Sequence, residues 1–128
     1  MRMSLLLLVP VALVSCAPTG SQPRFKDSFA EEVAGRAAGK AQSCIAPFGT
    51  QNLRIVNPQM VAYGSGGTIY VNQLRSPCRS LAPANTIIIE SHGGQYCSGD
   101  HISVLEYGST IPSPICLLGE WTPYKLPQ

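Results

Sequence analysis

The cysteines constrain the fold of this 128-residue chain more than any other feature. Cys16 follows an apolar N-terminal run, and the other four are spread through the rest of the sequence: Cys44, Cys78, Cys97 and Cys116. If the chain is exported, an even number of cysteines in an oxidising compartment predicts structural disulfides. Zinc binding is the alternative, but the spacing is wrong for zinc knuckles. We therefore expect two disulfides and no bound metal.

The N-terminal segment has the parts of a secretory signal. Arg2 precedes an apolar run that is far shorter than the roughly 20 residues of a membrane-spanning helix and ends at a small residue. Leu13-Val-Ser-Cys16 resembles the lipobox of bacterial lipoproteins. That resemblance implies removal of residues 1–15 and attachment of lipid, such as palmitate, to Cys16. The alternative is an ordinary signal peptide that is cut near Ala17 and leaves no lipid.

The lipobox resemblance also implies a location and a domain plan. We expect the periplasmic face of the outer membrane, because Ala17 stands where an inner-membrane retention signal usually has Asp; the inner membrane is the alternative. Residues 16–27 have Pro and Gly without an apolar period, which predicts a lipid-anchored tether. Residues 28–128 are then enough for a single domain.

The charge balance excludes one class of partner. Lys and Arg total 9 against 7 Asp and Glu, so the chain lacks the basic surface that neutralises phosphates. We expect no nucleic-acid binding. The expected partners are the membrane, through the lipid on Cys16, and a periplasmic protein.

Residues 28–42 have a helical pattern. Ser28 and Glu31 have the spacing of an N-terminal capping box, and Phe29 and Val33 begin a narrow apolar stripe. Two glycines weaken the segment, each by about 1 kcal/mol relative to Ala. The predicted helix therefore either docks on the rest of the domain through this stripe or frays into the tether.

After Cys44 the apolar residues alternate with polar ones, as in strands. The run 86–89 is apolar on both faces, which is typical of a central strand, and Pro123 is expected to end the last strand. These features predict a mainly β fold, a small antiparallel sheet or barrel with one N-terminal helix. The predicted strands are 53–55, 60–63, 68–72, 86–89, 101–104 and 117–121.

Spacing does not choose among the three pairings that four cysteines allow. Nested and crossed pairings each sum to roughly 8 kcal/mol of loop-closure stabilisation. We favour the nested pairing, Cys44–Cys116 with Cys78–Cys97, because it would join the start and the end of the sheet.

Three segments resemble a group of small proteobacterial lipoproteins that share a domain of unknown function. They are Tyr70-Val-Asn-Gln-Leu leading to Cys78-Arg-Ser-Leu, then Cys97-Ser-Gly-Asp-His-Ile-Ser-Val, and Cys116-Leu-Leu-Gly-Glu-Trp-Thr-Pro. The resemblance implies an envelope protein with four mature cysteines, and it implies no activity.

The segment Ser65-Gly66-Gly-Thr-Ile-Tyr70 resembles the Ser-Gly-x-x-Tyr loop of periplasmic lysozyme inhibitors, although it is one residue longer. The resemblance implies that Ser65, Gly66 and Tyr70 enter the cleft of a lysozyme or another cell-wall hydrolase. The alternative is an ordinary hairpin turn.

His92 and His101 are the only histidines and the candidates for acid–base chemistry. Ser91, however, is not on a nucleophile elbow, and Asp100 is most simply a turn residue that bonds its own backbone. Trp121 is expected in the core. We therefore favour a binding or envelope component without a cofactor, with a small periplasmic enzyme as the alternative.

Overall fold

The computed structural model describes residues 25–49 and 52–128. The predicted signal peptide 1–15, Cys16 and the first part of the predicted tether lie outside the described residues. The described elements follow one another in this order: α1 (Phe25–Glu32), β1 (Ala37–Ala38), β2 (Cys44–Ile45), β3 (Arg54–Asn57), β4 (Met60–Tyr63), β5 (Thr68–Gln73), β6 (Thr86–Glu90), β7 (Tyr96–Cys97), β8 (His101–Leu105), β9 (Cys116–Leu117) and β10 (Trp121–Lys125).

The described strands form three antiparallel sheets. The largest has five strands in the order β1-β10-β5-β4-β3, so β1 and β3 are its two edges. A second sheet pairs β2 with β7, and a third has the order β6-β8-β9. The mainly β prediction with one N-terminal helix and two disulfides is confirmed, in the form of open sheets and not of a closed barrel.

Side chains alternate across the five-stranded sheet and so supply two cores. In β4, Val61 and Tyr63 point to one side and Ala62 to the other. The smaller core consists of Val56, Ala62, Ile69 and Val71. The larger core consists of Ile45, Val61, Tyr63, Leu74, Cys78, Leu81, Ile102, Val104, Leu118 and Trp121. Trp121 is fully buried, as predicted.

Helix α1 covers the smaller core. Phe29 and Val33 pack against it, and the Phe29 ring meets the Tyr124 ring edge-on at 6.0 Å. Glu32 also forms an ion pair with Arg54 at the start of β3. Of the two outcomes predicted for this segment, the structure therefore has the docked helix.

The predicted boundaries 28–42 are wrong at both ends. The helix begins at Phe25, and the Ser28 hydroxyl donates to the carbonyl oxygen of Val56 instead of capping the first turn. The helix ends at Glu32 because the chain then turns through Gly35, whose φ of 69° is unfavourable for other residues. Ala37 then joins β1, where it pairs with β10.

The predicted hairpin 60–63 and 68–72 is confirmed as β4 and β5, and 101–104 as β8. The prediction of a central strand at 86–89 is wrong about its position, because β6 lies at an edge of its sheet. Ile87 and Ile89 face the larger core, whereas Ile88 is 38% exposed on the opposite face. Apolar side chains on both faces of β6 therefore do not indicate a central strand here.

The predicted closing strand 117–121 is also wrong. Strand β9 ends at Leu117, and β10 continues through Pro123 to Lys125. Pro123 is tolerated because its backbone groups face away from β5. Its carbonyl oxygen accepts a hydrogen bond from the Gly39 N–H at 2.7 Å on that side. Its missing N–H would point to the same side, so the ladder between β10 and β5 loses nothing.

The disulfides are crossed along the sequence. Cys44 pairs with Cys97, which lies directly opposite it between β2 and β7, and Cys78 pairs with Cys116 in β9. The nested pairing that we favoured is therefore wrong. Loop length does not discriminate between the two arrangements, and strand register, which local sequence does not reveal, brings Cys44 to Cys97.

One buried amide joins β5 to the turn before β10. The Asn72 side chain is fully buried, and its Nδ2 donates to the carbonyl oxygen of Gly119 at 2.8 Å. The Gly119 N–H donates in return to Asn72 Oδ1 at 2.8 Å. Gly119 is required here, because a Cβ at this position would lie 2.0 Å from the carbonyl oxygen of Gln73.

We therefore expect Gly119→Ala to lower the free energy of unfolding by roughly 3 kcal/mol, since the new methyl group must displace backbone and disturb the bonds of Asn72. Gly67→Ala is the matched control, because no atom lies within 4 Å of a Cβ there. It should change stability by less than about 0.5 kcal/mol. Urea unfolding of the oxidised proteins measures both values, and equal stability of the two variants would contradict the prediction.

Candidate functional site

A cleft of about 330 Å³ lies beside the edge strand β6, where residues from or next to all three sheets meet. We call it the edge cleft, and its lining residues are Asn52, Leu53, Asn85, Thr86, Ile87, Ile89 and Tyr96. None of these side chains is charged. The volume is at the lower end of the range for small-ligand pockets.

The walls of the edge cleft are held by packing and hydrogen bonds. Ile87 and Ile89 pack against the larger core, and the Tyr96 ring meets the buried Tyr63 ring edge-on at 5.8 Å. Asn85 donates through Nδ2 to the Ser80 carbonyl at 2.9 Å, and its Oδ1 accepts from the Tyr107 N–H at 3.3 Å. The cleft is therefore a preformed feature of the fold.

Tyr63 holds one wall of the edge cleft in place. Its ring is fully buried, and its hydroxyl both donates to the Phe48 carbonyl at 2.8 Å and accepts from the Phe48 N–H at 2.7 Å. A buried hydroxyl with both functions satisfied fixes the ring against which Tyr96 packs.

The loop of the predicted inhibitor motif is the β4–β5 hairpin turn. Ser65 and Gly66 are exposed at its tip, and Gly66 has a φ of 73°. Tyr70 lies in β5 and packs against the larger core. Ser65 and Gly66 are thus exposed together at the tip of the hairpin, whereas the Tyr70 side chain points toward the core. Hydrolase inhibition through this loop stays a prediction.

The two histidines are each near a carboxylate but not in hydrogen-bond contact with it. His92 Nδ1 lies 3.9 Å from Asp100 Oδ1, and His101 Nδ1 lies 3.9 Å from Glu90 Oε2. Side chains that share a proton are hydrogen-bonded at about 2.6–3.2 Å. The His92 side chain is 88% exposed, and neither histidine lines the edge cleft. At these distances neither histidine is hydrogen-bonded to the carboxylate beside it.

Asp100 has the role predicted for it in the turn. Its Oδ2 accepts the Cys97 N–H at 2.7 Å, and its own N–H donates to the Cys97 carbonyl at 3.0 Å. The carboxylate therefore closes the turn that follows β7, next to the disulfide of Cys97. This is a structural use of the group.

The edge cleft was missed from sequence because its parts come from distant segments. Leu53, Asn85 and Tyr96 belong to no local motif, and only the packed core brings them together. The one local signal was the apolar run 86–89, which we interpreted as a buried central strand.

Comparison of the chain with protein-family models, with curated proteins and with solved structures finds no significant match. Within residues 25–49 and 52–128, no helix has the length and apolar character needed to cross a membrane. The same residues hold no group of three or more His, Cys, Asp or Glu side chains placed to bind a metal ion.

The structural role of Asp100 can be tested against a role shared with His92. We expect Asp100→Ala to destabilise the protein by about 2 kcal/mol, because it leaves the Cys97 N–H without its acceptor. His92→Ala should cost less than about 0.5 kcal/mol, since the ring is exposed. Asp100→Asn, which keeps an acceptor oxygen, should be intermediate.

The double variant should equal the sum of the two alanine variants within about 0.5 kcal/mol, measured by urea unfolding. Coupling well above that value would mean that the two side chains act as a unit and would contradict this assignment.

Proposed function

We propose that this chain is an exported, lipid-anchored envelope protein whose disulfide-bonded β domain acts by binding another molecule. The lipid is on Cys16, which becomes the first residue after removal of residues 1–15. The outer membrane is the proposed site of anchoring, with the domain in the periplasm.

The observation that carries the export proposal is that all four cysteines of the described domain form disulfides. Disulfides persist in oxidising compartments and are rare in the cytosol. The two disulfides and the lipobox-like sequence at Cys16 are independent features, and both support export.

The edge cleft supports binding as the activity. It is preformed, uncharged and concave, which is typical of a recognition site. The histidine–carboxylate distances of 3.9 Å give no comparable support to the enzymatic alternative.

Expression in a Gram-negative host tests the proposal. We expect the protein in the membrane fraction, with an intact mass that lacks residues 1–15 and includes acyl chains on Cys16. Reduction should add four hydrogen atoms, two for each disulfide.

Cys16→Ser should abolish acylation and leave the leader attached, whereas Ser15→Ala should be processed normally because it keeps a small residue before the cysteine. An unprocessed cytosolic protein with all five thiols free would contradict the proposal.

A further inference from the structure

We propose that the free edge of β6 binds an extended peptide segment of another protein as an added strand, with neutral side chains of that peptide in the edge cleft. The inference rests on the proposed binding function and names the chemistry of the partner. Its main support is the direction of the backbone groups of β6.

The hydrogen bonds of Val104 reveal that direction. Its N–H donates to Ser113 Oγ at 2.9 Å, and its carbonyl oxygen accepts the Ser113 N–H at 2.8 Å. Both groups of Val104 therefore point away from β6. Opposite residues in antiparallel strands alternate between bonded and non-bonded pairs, so Ile87, which faces Val104, is in a non-bonded pair.

The same alternation applies two residues later. Ile89 faces Ile102, which in turn faces Cys116 of β9 on its other side. The N–H and carbonyl groups of Ile87 and Ile89 thus point away from β8, past the edge of the sheet. Among the described residues these groups have no hydrogen-bond partner. These two residues also line the edge cleft.

This arrangement is a template for a strand. An extended peptide presents its own N–H and carbonyl groups with the same two-residue repeat, and it can bond to Ile87 and Ile89 while alternate side chains enter a pocket. Proteins usually protect such edges with Lys, Pro or a bulge. Strand β6, Thr-Ile-Ile-Ile-Glu, has no Lys, Pro or bulge, and its one charged residue, Glu90, stands at its end, after Ile87 and Ile89.

The lining of the edge cleft selects the side chain that enters it. Leu53 and the two isoleucines supply apolar surface, and none of the lining residues is charged. A charged side chain would lose hydration there without meeting an opposite charge. The peptide residue that enters the cleft is therefore neutral.

The test uses the full chain with both disulfides intact and a phage-displayed library of random peptides as the probe. Selected peptides are synthesised and titrated while backbone amide exchange is followed by NMR. In the free protein we expect the Ile88 amide to be protected by its bond to β8, and the Ile87 and Ile89 amides to exchange faster. Binding of a peptide should slow the exchange of both the Ile87 and the Ile89 amides.

Methylation of the peptide nitrogens provides the matched control. Methyl groups on amides that face β6 should weaken binding about tenfold each, whereas methyl groups on the alternate amides should change it less than about twofold. On the protein, Thr86→Lys should weaken binding and Thr86→Val should not.

Three results would overturn the inference: no peptide is selected, the selected peptides leave the exchange of Ile87 and Ile89 unchanged, or the free protein is a dimer in which both amides are already protected. The last result would assign the edge to a second copy of the chain. None of them alters the cell fraction or the intact mass, so failure here is distinguishable from failure of the proposed export and lipidation.

Discussion

The crossed disulfides are the constraint on which the rest of this structure depends. Each one holds a strand of only two residues: Cys44–Cys97 joins β2 to β7, and Cys78–Cys116 holds β9. Such short strands have too few hydrogen bonds to persist alone. Closing the loops between the paired cysteines, separated by 53 and 38 residues, contributes about 4 kcal/mol each in the chain-entropy account.

Cys44–Cys97 closes the sheet of β2 and β7, and Cys78–Cys116 ties β9 of the third sheet to the segment that follows β5 of the five-stranded sheet. Tyr96 directly precedes Cys97, and its ring reaches the buried Tyr63 in β4. On the far side, Asn72 and Gly119 lock the turn before β10 to β5. Among residues 25–49 and 52–128, strand β6 is paired on one side only, and its other side borders the cleft. The site we propose is thus a consequence of how the sheets are joined.

Local patterns in the sequence predicted the parts of the fold that depend on near neighbours. The glycine-rich turn at 64–67 with alternating flanks identified β4 and β5, and Ile102 and Val104 identified β8. Long-range pairing could not be predicted in this way. The predicted helix fails after Glu32 because Ala37 gains hydrogen-bonded pairing with β10, a strand at the other end of the chain.

The same limit explains the remaining errors. Pro123 is compatible with a strand because its nitrogen faces Gly39. The run 86–89 lies at an edge because none of the described strands pairs with its second side. Of the candidate site, Leu53, Thr86, Ile87 and Ile89 belonged to predicted strands, but nothing local brought those strands together with Tyr96. The cysteine pairing depended on register between β2 and β7, and entropy estimates for the alternatives were nearly equal.

Mapping the disulfides tests the central claim most directly. The oxidised protein, with free thiols blocked, is digested with trypsin and a glutamate-specific protease, which cut after Arg75 and Arg79 and after Glu106 and so separate the four cysteines. Mass spectrometry should find the peptide of Cys44 linked to that of Cys97, and the peptide of Cys78 linked to that of Cys116. Linkage of Cys44 to Cys116 or of Cys78 to Cys97, or four blocked thiols, would contradict the account.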